Sequence, residues 1–233
     1  MRSTILPLLG ALVGLSWVNA LTPNLAHAAC TDYPEKGVDW SDCRKRNIML
    51  NGNDLSGAKM YSIDLLGSDL RDANFAGTDF TKAALNRVNA SGANLEGAIL
   101  TKAESNRAIF KKAKLNGADL QKSVFFRGDF SGADISGANL NKGEFSRVNF
   151  SGANLSGSKI TYSNLARADF SNASLADTDF HMSWLYLTRV EDADLSGALN
   201  LTQGQLDLTC GNDATKLPAG LSKPSSWPCG AEE

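Results

Sequence analysis

From Ile48 to Leu195 a small residue is followed two places later by a large apolar one, and the pair recurs every five residues without a slip. The positions ending in 0 or 5 from Leu50 to Leu195 are thirty repeat centres. Twenty-four of them are Leu or Phe, and only Ala90 and Ser105 are not large and apolar. Two places before each centre, twenty-five of the thirty residues are Ala, Ser, Thr or Gly. A period of five matches neither the 3.6 of a helix nor the 2 of an ordinary strand, so the chain reads as a repeat array. A five-residue unit cannot bury its own Leu and Ala, so the units must wind and stack.

The outward positions set the size of one winding. Arg87, Arg107, Arg127, Arg147 and Arg167 lie twenty residues apart, as do Lys82, Lys102, Lys122 and Lys142 in a second column. A third column runs Gly57, Gly77, Gly97, Gly117, Gly137, Gly157, Asp177, Gly197. All three columns predict four units per turn, hence about 7.5 coils of 20 residues and a rod of roughly 36 Å at the strand-to-strand spacing. The centre and the small residue two before it point inward, because a larger group there would overpack a narrow interior already filled from four sides. Val88 beside the undersized Ala90 reads as volume compensation.

The units ADLQK at 118–122, ANLNK at 138–142, ADFSN at 168–172 and ADLSG at 193–197 resemble the A(D/N)Lxx motif of the pentapeptide-repeat family. That resemblance spans about 150 residues and implies an all-β fold, a right-handed quadrilateral parallel β-helix. The opening VDWSDCRKRNIMLNGNDLSGA and the closing LTQGQLDLTCG are similar to the cap segments of exported bacterial members. Some members imitate the DNA duplex and bind type II topoisomerases; they act in the cytoplasm and need a strongly acidic stripe.

The ends divide the chain further. Residues 1–28 carry Arg2, an apolar run from Ile5 to Leu21 and the triplet Ala26-His27-Ala28, the pattern of a cleaved signal peptide directing the protein to the periplasm or outside the cell. Residues 29–47 then form an N-terminal disulfide cap, 48–198 the β-helix and 199–233 a C-terminal helix and disulfide strap. Four Cys allow three pairings. Cys30 and Cys43 precede the array while Cys210 and Cys229 follow it, so cross-pairing would have to bridge its length. The expected pairs are Cys30–Cys43 and Cys210–Cys229, each worth about 3 kcal/mol in the chain-entropy account. Thr202 with Gln205 makes a capping box and Leu201 with Leu206 a hydrophobic staple, predicting a helix at about 202–210 that Gly211 stops.

No catalytic residue, metal site or cofactor is expected. Beyond the leader the sole histidine is His181, and all four Cys have structural roles. Asp119, Asp129, Asp134, Asn139 and Asn154 read as side chains bonded to turn backbone. The Lys and Arg columns are the unusual surface. Like charges ~4.8 Å apart repel by roughly 0.9 kcal/mol even in water, and Glu104 and Glu144 are placed to offset part of this. The columns are either a structural ladder whose stems cover the coil or a basic stripe for a polyanion or an acidic protein face. Past them Tyr162, Met182, Trp184, Tyr186 and Leu187 stand outward, to be covered by the chain's own tail or by a partner, including a second copy. The overall reading is a non-catalytic exported scaffold whose flat faces bind a protein or an envelope polymer. A DNA mimic is the alternative, and nucleic acid itself is not an expected partner.

Overall fold

The computed structural model describes residues 30–229; the expected leader at 1–28 lies outside them. Each unit is a turn followed by one outward residue that bridges in parallel to its counterpart twenty residues on, from Asp39↔Lys59 to Asp179↔Leu199. These bridges are single residues, not extended strands. Three backbone bonds secure each unit. The Leu55 N–H donates to the Asn74 carbonyl at 2.7 Å, the Asn74 N–H to the Asn53 carbonyl at 2.8 Å and the Gly57 N–H to the Ala76 carbonyl at 2.8 Å. The Ala58 N–H closes the turn onto the Leu55 carbonyl at 3.1 Å. The second turn residue has positive φ, as a type II turn requires.

The centres and the small positions two before them fill one continuous buried core. Within it Phe110, Phe130, Phe150 and Phe170 stack coil upon coil, with ring centroids 4.9, 5.4 and 4.9 Å apart. Phe125 and Phe145 stack beside them at 5.7 Å, and Phe125 meets Phe130 edge-on. The stack requires small neighbours. A Cβ on Gly143 would lie 2.2 Å from the Phe145 ring. Several inward hydroxyls donate to carbonyls of the coil below, as Thr78 Oγ1 to Leu55 at 2.9 Å and Thr188 Oγ1 to Leu165 at 2.8 Å, whereas those of Ser105 and Ser158 find no partner among the described residues.

The coil begins earlier than the repeat suggests. Val38, Trp40 and Cys43 are buried in register with the core, so bridging starts at Asp39 and not at 48. Lys45 stands where a Leu centre belongs, with its ammonium 3.9 Å from the centroid of Trp40, and its polarity hides the continuity. Cys30–Cys43 ties the entering chain to this first coil, and Cys210–Cys229 ties the last segment to the far end.

The C-terminal segment is a modified coil as well as a strap. Arg189↔Cys210 and Asp194↔Lys216 continue the ladder with lengthened spacings, the first set by a helix, α1 (Gln203–Leu206), that replaces one side, the second by one further residue between Cys210 and Lys216. The capping box of Thr202 and Gln205 is formed. The Gln205 side-chain amide also donates to the Phe180 and Ser183 carbonyls at 2.8 and 2.9 Å, closing the edge of that side. α1 is shorter than 202–210, ending at the C-cap Asp207. Gly211 is therefore not its stop. A Cβ there would lie 2.5 Å from the Trp227 ring, which is buried with Nε1 donating to the Thr209 carbonyl. Leu206 is fully buried and lines a small apolar void together with Phe170, Phe180 and Leu185.

Gly143→Ala tests this packing. Its φ is not positive, so the added methyl acts by steric conflict with Phe145 alone, and thermal unfolding should show a loss of about 1–3 kcal/mol.

Candidate binding face

The Lys and Arg columns occupy the second turn position at two adjacent corners. All nine have φ between 56° and 60°, left-handed backbone that glycine adopts freely and other residues hold at a cost of roughly 1–2 kcal/mol each. The Gly57 column places glycine at the equivalent corner on another side. Two strained ladders, Lys82 to Lys142 and Arg87 to Arg167, therefore edge one side of the rod.

The middle of that side reads Ala84, Glu104, Val124, Glu144, Asn164, Trp184, bridged in sequence. From Lys82 to Arg167 this side and its corners hold nine cations against two carboxylates, a net +7 in a chain whose total is −2, so the remainder carries −9. Among the described residues no ion pair joins Glu104 or Glu144 to Lys82–Lys142 or to Arg87–Arg147. Glu144 instead accepts from Asn164 Nδ2 at 2.9 Å, and the ion pairs among the described residues join other cations, such as Arg46 to Asp64 and Lys111 to Asp129. The side chains of Arg87, Arg107, Arg147, Lys102 and Lys122 are exposed and have no ionic, hydrogen-bonding or ring partner among the described residues. Arg127 lies 5.2 Å from the Phe126 ring. Lys82 donates to the Tyr61 hydroxyl, which raises the Lys82 pKa and lowers that of Tyr61.

The aromatic end continues the same side. Lys142 Nζ sits 6.0 Å from the Tyr162 ring, and Tyr162 meets His181 edge-on at 5.4 Å. Trp184 and Tyr186 lie nearly parallel, 18° apart with centroids at 6.2 Å. The tail does not cover them. Trp184 is 53% exposed, Tyr186 45% and Met182 68%, because the tail crosses the open end of the coil and not its side. Leu187 alone is half-buried there, its N–H donating to the Leu208 carbonyl. Reading the sequence by columns of cations leaves out Val124, Phe126 and Asn164; grouping residues by twenty on this one side is the signal that finds them.

The Asp and Asn before the centres do the work of turns. Asp119 accepts from the Gln121 N–H and Asp134 from the Ser136 N–H, while Asn139 and Asn154 donate to the Asp119 and Asp134 below them. Asp194 is held at about 2 by the Ser196 hydroxyl, then by Lys216. Among the described residues no three His, Cys, Asp or Glu side chains group as metal ligands would.

The model of pentapeptide repeats matches eight copies, over residues 54–89, 91–125, 129–161 and 153–192. The chain belongs to the pentapeptide-repeat family. Its members fold as right-handed quadrilateral β-helices. Among solved structures, the chain is similar to HetL, a pentapeptide repeat protein involved in heterocyst differentiation regulation in the cyanobacterium Nostoc sp. strain PCC 7120. Identity is 20% over 85% of this chain and 92% of that one, with a TM-score of 0.34. Full-length QnrB1, a plasmid-mediated fluoroquinolone resistance protein, matches at 18% identity over 76% and 94%, with a TM-score of 0.32. A pentapeptide repeat protein of the Arabidopsis thaliana thylakoid lumen matches at 26% over 65% and 83%, with a TM-score of 0.16. No curated protein matches the chain.

The corners and the turn carboxylates of this pentapeptide-repeat rod are each open to test. Arg107→Asn should raise the unfolding free energy by up to about 1 kcal/mol, since Asn tolerates left-handed backbone better than Arg, whereas Arg107→Val should lower it by about 1–2 kcal/mol. The Asp194 pKa is depressed on folding, so its stabilisation is present above the unfolded value of about 3.9 and is lost as pH falls toward 2. Melting curves between these limits should flatten in Asp194→Asn.

Proposed function

We propose that this protein is a non-catalytic exported scaffold whose Lys/Arg side binds an acidic partner. The observation carrying this reading is the pair of cation ladders held in strained backbone, in which Arg87, Arg107, Arg147, Lys102 and Lys122 have no partner among the described residues. Side chains that served only to cover the coil would be expected to lie against it, and a corner required only to turn would be glycine, as on the Gly57 column. Two disulfides suit an oxidising compartment, in keeping with the leader pattern at 1–28. A rigid rod without a cleft of unlike carboxylates suits binding better than acid–base chemistry. The DNA-mimic alternative needs an acidic stripe, and the sign of these ladders argues against it.

Arg107→Gln, Arg127→Gln and Arg147→Gln combined should leave the melting temperature close to that of the parent. The same variant should weaken retention on an anionic matrix at low salt about tenfold and reduce its salt dependence. A large fall in melting temperature with unchanged retention would assign the ladder to structure instead.

A further inference from the structure

Taking the cationic side as a binding face, its spacing narrows the partner to a class. A ladder repeating every ~4.8 Å over several coils presents the same chemistry at each step. Apart from another solenoid, a folded protein surface lacks such a period, whereas a linear polymer has one. The middle of the side carries a second, longer period: Ala84, Val124 and Asn164 alternate with Glu104 and Glu144. A negative charge facing the side therefore meets no carboxylate at every second coil, about 9.6 Å apart. That is close to the length of a 1,4-linked disaccharide. At the intervening coils Glu104, exposed, and Glu144 are acceptors suited to sugar hydroxyls.

The aromatic end supplies an independent indication. Trp184 and Tyr186 form an exposed, nearly parallel pair directly beyond the last cations, with Arg167 N–H bonded to the Tyr186 carbonyl at 2.8 Å. An apolar ring face with polar edges is what stacks on the flat face of a pyranose. Single-stranded nucleic acid instead calls for aromatics interleaved with the charges along the whole path, and between Lys82 and Arg147 this side offers only Phe126.

We infer that this side binds an acidic polysaccharide with one carboxylate per disaccharide, its carboxylates along the Lys and Arg corners and a sugar ring on Trp184 and Tyr186. Trp184 is the one exposed tryptophan among the described residues, since Trp40 and Trp227 are buried, so its emission reports occupancy directly. The parent protein is titrated with hyaluronan oligosaccharides as the alternating probe, alongside maltooligosaccharide, polyglutamate and oligothymidylate.

The expected result is salt-sensitive binding of the hyaluronan probe with a blue shift of Trp184 emission, and no binding of the neutral sugar. Trp184→Ala with Tyr186→Ala should weaken it about tenfold while polyglutamate affinity is unchanged. If that variant does not fold, saturation-transfer NMR on the parent decides the same point through aromatic contact to sugar ring protons. The inference is overturned if polyglutamate or oligothymidylate binds as tightly, or if the hyaluronan probe binds without disturbing Trp184. Binding of those two polyanions without the hyaluronan probe defeats the glycan inference alone. Failure of every polyanion to bind at low salt defeats the cationic-side reading with it.

Discussion

Backbone hydrogen bonds from one coil to the next, between residues nineteen and twenty-one positions apart, govern everything else in this molecule. Because Leu55 bonds to Asn74 and Asn74 to Asn53, each side chain is stacked on its counterpart one coil away and sequence becomes columns. Inward columns must then tolerate their own repetition. Phenylalanine does so by stacking, and Gly143 gives way where the ring of Phe145 needs room. Outward columns repeat their charge with equal fidelity, which turns a single Arg at a corner into a ladder.

The same bonding makes the corners expensive. Each turn puts one residue at positive φ, and the chain fills many of these positions with Lys, Arg, Asp or Asn. Asp and Asn suit that backbone. Lys and Arg have no such advantage, and several project without a partner among the described residues. Strain and charge are thus placed together on one side, with an aromatic platform at its end, and the proposed function rests on that coincidence and not on distant fold relatives.

The unbroken five-residue period and the twenty-residue columns made the solenoid legible, because both follow from inward and outward alternation that the backbone enforces. The disulfide pairing was legible for a similar reason: a rod separates its ends. The boundaries were hidden where one residue breaks the pattern without breaking the backbone. Lys45 masks the first coil because cation–π contact with Trp40 replaces a Leu. α1 masks the last one because Gln203–Leu206 shifts the spacing to Cys210, and one further residue shifts that to Lys216. Sequence placed Glu104 and Glu144 among the cations but could not show that neither forms an ion pair among the described residues. It likewise marked the residues around Trp184 as apolar and outward, while the path of the tail, which leaves Trp184 bare, depends on Trp227 seating over Gly211.

Columns formed by the twenty-residue coil create the binding face, and two deletions compared in one binding measurement test that claim. Removing residues 126–145 takes out one whole coil and leaves every remaining column in register. Removing 126–135 keeps the inward period of five but rotates everything downstream by two sides, cutting both ladders. With both proteins folded by circular dichroism and cooperative on melting, salt-sensitive polyanion binding should survive the first deletion and be lost in the second. Equal binding by the two would contradict a face built from columns.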